Sequence, residues 1–163
     1  MPVTDVAKDL DALTLTITAE FDADARRLWE LWADPRQLER WWNPPSHSST
    51  FVEHELTPGA RTTYYMTGPD GEKHHGAWRI EEVEPPHHLR LKDDEVDAEG
   101  KPEDGGPSAM TVTITETDRT ATMSIQTHFT DRDAMEQTIE MGFEQGMTET
   151  LNQIDPLLDA ARA

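Results

Sequence analysis

The chain has 163 residues, enough for one compact domain. Fourteen Lys and Arg stand against 33 Asp and Glu, a formal net charge of −19. That balance argues against a nucleic acid or an anionic membrane as partner, since both call for clustered cations. The absence of Cys excludes disulfides and thiolate metal sites.

Residues 1–12 are polar and acidic, and are expected to be a flexible N-terminus ahead of a single domain spanning 13–160. From Leu13 to Phe21 the odd positions Leu13, Leu15, Ile17, Ala19 and Phe21 alternate with Thr and Glu, which predicts a strand with one buried face. The period then changes. Leu28, Leu31 and Trp32 fall at helical spacing, with Asp22 or Asp24 available as the cap. Asp34-Pro35 opens a second short helix, with Asp34 as cap, Pro35 at the first helical position and Gln37 where a capping-box partner belongs. Leu38, Trp41 and Trp42 form its apolar side.

From Ser49 onward the pattern is β. Val52, His54 and Leu56 are expected on one face of a strand, with Glu53 and Glu55 on the other. Arg61 to Met66 forms the next strand, and Gly68-Pro69-Asp70-Gly71 is a hairpin tip. The return strand runs from His74 to Val83, and a short strand follows from His88 to Lys92. Residues 93–107 hold seven acids, one Lys and a single strongly apolar residue, Val96, and are expected to be a solvated acidic loop. A hairpin of Ala109–Thr117 and Ala121–Phe129 follows. The chain closes with a helical stripe of Met135, Ile139, Phe143, Met147, Leu151, Ile154 and Leu158. Gly142 and Gly146 leave space on an adjacent ridge, and Pro156 predicts a disruption near Asp155. A single amphipathic helix of that length is best covered by a strongly curved antiparallel sheet that leaves a space between the two.

The order and spacing of several short pieces carry a resemblance. They are Phe21-Asp22-Ala23, Leu28-Trp29 with Trp32, Asp34-Pro35 with Leu38 and Arg40-Trp41-Trp42, Pro58-Gly59, and Met66 through Gly71. Val83-Glu84-Pro85-Pro86 with Leu89 and Glu144-Gln145-Gly146-Met147 continue the series. Together they resemble the Hsp90-ATPase-activator homology family. That family belongs to the helix-grip superfamily, with the birch-pollen-allergen, START and polyketide-cyclase proteins. The resemblance implies an α+β helix-grip fold: a curved antiparallel sheet of about seven strands around one long C-terminal helix, with two short helices after the first strand. The group shares no catalytic motif, so it implies no catalytic residues and no cofactor.

Inward positions then define a candidate cavity between sheet and helix. Tyr64 and Met66 share a face, Trp78 and Ile80 do so on the next strand, Met123 and Ile125 supply a floor, and Phe143 and Met147 a lid. Of Trp41 and Trp42, one anchors the short helix and the other lies at the cavity mouth. The expected lining is Trp42, His54, Tyr64, Met66, Trp78, Met123, Ile125, Phe143 and Met147. Met suits walls that adapt to varied apolar shapes, and pockets carry a few polar groups among such walls. His128 joins this space only if its strand bulges.

The pairs His74-His75 and His87-His88 are consecutive, so on strands their side chains diverge, and no metal site is expected from them. The reading is a binder of a small apolar or amphipathic ligand. One alternative is a cyclase or aromatase-like enzyme, for which His54 and Tyr64 are the inward acid–base candidates, Arg79 having the wrong parity. The other is a protein-interaction module whose acidic surface meets a basic partner; an Hsp90-type chaperone is a less favoured partner than a small molecule. A homodimer covering an exposed Trp41 stays open. No run of 18 apolar residues exists, and Met1–Leu13 lacks the regions of a secretion signal, so a cytoplasmic location is expected.

Overall fold

The computed structural model describes residues 3–43, 46–93, 107–118 and 120–162. An eight-stranded, wholly antiparallel, open and curved sheet grips the C-terminal helices. Strand β1 (Val3–Asp9) pairs with β2 (Thr14–Phe21), so most of the segment expected to be a flexible N-terminus is the sheet's edge strand. That strand escaped notice because it has few apolar residues and is largely exposed. Helices α1 (Ala25–Ala33) and α2 (Pro35–Trp41) follow, then β3 (Ser48–Glu53), β4 (Arg61–Thr67), β5 (Lys73–Glu84), β6 (His88–Asp93), β7 (Pro107–Thr117) and β8 (Thr120–Phe129). The spatial order is β1-β2-β8-β7-β6-β5-β4-β3. The expected acidic loop lies outside the described residues from 94 to 106; Asp93 closes β6 and Pro107 opens β7.

Local chemistry sets the helix boundaries. The Asp24 carboxylate accepts the Arg27 N–H at 2.7 Å and starts α1. Asp34 ends α1 and starts α2, accepting the Arg36 N–H at 2.9 Å while Gln37 Nε2 donates to its other oxygen at 3.0 Å. The Gln37 side chain holds the Asp34 carboxyl below its ordinary range; burial opposes it, and the backbone amides of Arg36 and Gln37 and the Arg36 charge add to the lowering.

The C-terminal stripe is one face but not one helix. It divides into α3 (Arg132–Glu140), α4 (Phe143–Asn152) and α5 (Ile154–Arg162). Gly142 sits at φ +92°, a left-handed conformation that ends α3. The second break falls at Gln153, just before the disruption expected near Asp155. In a continuous helix the Pro156 ring would collide with the carbonyl four residues earlier, that of Asn152. The core holds Leu15, Ile17, Leu28, Trp32, Leu38, Trp41, Ile80, Leu89, Val112, Ile114, Met123, Ile125, Met135, Leu151, Ile154 and Leu158.

One parity expectation changes, on strand β3. A bulge between Phe51 and Glu53 shifts its register against β4. Val52, expected inward, is 66% exposed, and Phe51 is buried instead. Strand β8 keeps regular alternation, which buries Thr127 and turns His128 to the outer face near Arg90 and Thr111. Burial first, and the Arg90 charge second, lower the His128 pKa.

Candidate functional site

One end of the core is built from rings. Trp32 meets Trp41 edge-on at 4.8 Å, and Trp42 packs against Trp32, Trp41 and Trp78 at 5.5, 5.5 and 5.4 Å between centroids. Phe51 stacks on Tyr64 at 4.8 Å, and Tyr64 lies 5.2 Å from Trp78. Tyr64 can lie flat because its cross-strand neighbour is Gly76, where a Cβ would come within 2.5 Å of the phenol ring.

Between these rings and α4 lies a cavity of about 280 Å³ with walls almost wholly apolar. Trp42 and Asn43 close it from the end of α2, Tyr64 and Met66 from β4, and Phe143, Gly146, Met147 and Thr150 from α4. The α4 residues are spaced i, i+3, i+4, i+7, one face of a helix, and the β4 residues are two apart, one face of a strand. A tie joins the two walls. The carbonyls released at the end of α2 need donors, and Gln153 Nε2 gives one to Asn43 O at 2.6 Å and to Trp41 O at 3.2 Å. Thr150 Oγ1 also donates to Asn43 O, at 3.4 Å. Trp42 Nε1 and Trp78 Nε1 are buried donors without an acceptor among the described residues.

Of the nine residues expected to line a cavity, Trp42, Tyr64, Met66, Phe143 and Met147 stand around this one. Trp78 stands behind Trp42 and Tyr64 as part of the ring cluster. Met123 is spent elsewhere, its Sδ 3.2 Å from Trp32 Nε1, and Ile125 is core. His54 does not line the cavity either. Its Nε2 lies 2.6 Å from the Trp32 carbonyl, which can only accept, so Nε2 carries the proton and Nδ1 accepts the Thr62 hydroxyl at 2.9 Å. Burial lowers the His54 pKa, with the Trp32 carbonyl opposing. His54 is thus a neutral staple between α1 and β4. Arg79 is exposed and donates to Gly59 O at 3.1 Å. Asn43 and Thr150 were missed because one follows the helix as an irregular turn and the other is a polar residue one step off the apolar stripe.

Trp41 has no exposed ring to offer a second copy: it is 0% exposed, with Nε1 donating to Leu31 O at 3.0 Å. The expectation that it drives a homodimer therefore loses its basis. Among the described residues no helix is long and apolar enough to cross a membrane.

Comparison with known proteins gives a consistent answer. The sequence profile of the family described as "Activator of Hsp90 ATPase homolog 1-like protein" matches residues 22–159. A crystal structure of a protein from Mycobacterium smegmatis is similar at 47% identity and TM-score 0.89, covering 98% of this chain and 99% of that one. A solution structure of a protein from Arthrobacter aurescens is similar at 45% identity and TM-score 0.92, covering 97% and 92%. A protein from Staphylococcus epidermidis shares the fold at 23% identity and TM-score 0.84, covering 97% and 95%. No curated protein matches the chain.

Proposed function

The chain belongs to the Activator of Hsp90 ATPase homolog 1-like protein family, and on that premise we propose that it binds a small apolar or amphipathic molecule between β4 and α4. The observation that carries this reading is the cavity walled by Trp42, Tyr64, Met66, Phe143 and Met147. Its volume of about 280 Å³ lies near the lower end of ligand pockets, which suits a compact ligand of one or two rings or a short chain. Trp42 adds a preference. Its buried indole N–H has no acceptor among the described residues, and a ligand carrying one carbonyl, ether or hydroxyl oxygen would relieve the cost of burying it bare. Binding without catalysis is favoured over the cyclase-like alternative, because of the two inward acid–base candidates His54 has both nitrogens engaged and is not in the cavity wall, which leaves Tyr64 there without an acid–base partner from that pair.

The test uses Gly146, where an added Cβ would meet nothing within 4 Å. Gly146→Leu should fill the cavity without disturbing the backbone. Native mass spectrometry of freshly purified protein, then denaturing extraction, reads any bound small molecule. The wild type should carry an adduct, or take one up from a panel of aromatic and short acyl compounds, and G146L should not. Equal loading of both proteins, or a wild type that binds nothing in the panel, would overturn the reading.

A further inference from the structure

Beyond the cavity, three side chains converge where β3 begins beside the β4–β5 hairpin tip. One ligand atom from each of His47, Glu72 and His74 lies within 4.8 Å of the other two. His74 Nε2 is 3.7 Å from Glu72 Oε1, and the His47 and His74 rings are 5.7 Å apart. The group is assembled by topology. Ser48 pairs with Thr67, and Thr67 with Lys73, which brings the start of β3 across β4 to the start of β5.

The backbone and a neighbouring hydroxyl already orient these groups. Glu72 Oε2 accepts the Asp70 N–H at 3.0 Å, and Gly68 N donates to Glu72 O at 2.8 Å. The Glu72 carboxylate occupies the space a side chain at Gly68 would need, since a Cβ there would collide with it. His47 Nδ1 is engaged by Ser46 Oγ at 2.7 Å, leaving the other ring nitrogen for a ligand bond. A hydrogen bond to the second nitrogen is the usual outer support of a metal-bound imidazole. The Glu72 amide keeps the Glu72 carboxyl below its ordinary range; burial opposes it, and the Asp70 amide and His74 add to the lowering.

We propose that His47, Glu72 and His74 form a binding site for a divalent transition-metal ion of the zinc class. Two imidazoles and one carboxylate are a recurrent ligand set for such ions, and they leave at least one position open. Two nitrogen ligands select against Ca²⁺ and Mg²⁺, which prefer oxygen. The net charge of −19 concentrates cations around the protein. His74 pairs directly with Met66, so both side chains stand on the same face of the sheet. A bound ion therefore lies beside the rim of the cavity that Met66 lines. The proposal does not depend on that cavity being filled.

The experiment is calorimetric titration of the intact protein with ZnCl₂, in buffer holding excess Mg²⁺ to occupy non-specific acidic sites. One saturable Zn²⁺ per chain is expected. His47→Ala, His74→Ala and Glu72→Gln should each weaken it at least about tenfold. Gly68→Ala, which removes no ligand but displaces the Glu72 carboxylate, should weaken it too. The His87→Ala/His88→Ala double variant should bind like the wild type. Thermal melts without metal check that each variant folds, and the imidazole proton resonances of His47 and His74 should shift on Zn²⁺ addition in the wild type. No saturable site in the wild type, or unchanged affinity in the His47, His74 and Glu72 variants, would overturn the proposal.

Discussion

His54 joins three parts of the molecule through two hydrogen bonds, and its protonation state can be read from stability. Burial places its folded-state pKa below the ordinary 6.5. Above pH 6.5 the imidazole is neutral in both states, and the pH dependence from this group is flat. As pH falls below 6.5 the unfolded chain takes up a proton that the folded chain refuses, so stability is lost down to the folded-state value. His128, also lowered, adds a loss of the same sign. The melting temperature should therefore drop as pH falls below about 6.5, and His54→Gln should flatten part of that slope. The variant should also be less stable at neutral pH by about 1–3 kcal/mol, because it disturbs the partners of Trp32 O and Thr62 Oγ1. An unchanged slope in the variant would show that His54 is not the titrating group. The sequence marked His54 as inward, and it is half-buried, but the alternation used to place it was wrong. The bulge next to Glu53 breaks the period of two, and a bulge leaves no mark in the residue pattern.

Helix-level reading succeeded where chemistry is local. Asp24, Asp34, Pro35 and Gln37 announce their helix starts because capping needs only residues one turn apart. The C-terminal stripe was harder, because its apolar face runs on through two interruptions of the backbone. Both interruptions have their residues in the sequence, Gly142 and Pro156, but a stripe counts side chains and not hydrogen bonds. The two glycines on this face should respond oppositely to the same change. Gly142→Ala forces a side chain into a left-handed conformation and should destabilise by about 1–2 kcal/mol. Gly146→Ala lies inside α4 with open space at Cβ and should stabilise by about 0.5–1 kcal/mol. Chemical denaturation of both variants checks the pair. Equal effects would mean that the break at Gly142 is not held by its backbone conformation.

At the scale of the whole molecule, a charge of −19 on 163 residues means that folding gathers like charges together. Salt screens that repulsion, so the melting temperature should rise as NaCl is added, most steeply at low ionic strength where the screening length changes fastest. A flat or falling curve would mean that the acidic groups are already offset by local pairs such as Lys8–Glu144 at 2.8 Å and Arg90–Glu81 at 3.1 Å. The helix-grip architecture was legible because it follows from element order and a series of short matched pieces. The three-residue cluster of His47, Glu72 and His74 was not, since its members come together only through the pairing of β3, β4 and β5. Adjacent histidines along the chain diverge on a strand, whereas His47 meets His74 and Glu72 across it. The bulge that misled the reading of β3 has one more effect. β3 is the outer strand on its side of the sheet, and a straight outer strand invites another chain to add to it and extend the sheet. An interrupted row of donors and acceptors, only six residues long, ending in Glu53 and followed by Glu55, offers a poor template for that addition. The same irregularity that carries His54 inward thus guards the protein against polymerising through its own edge.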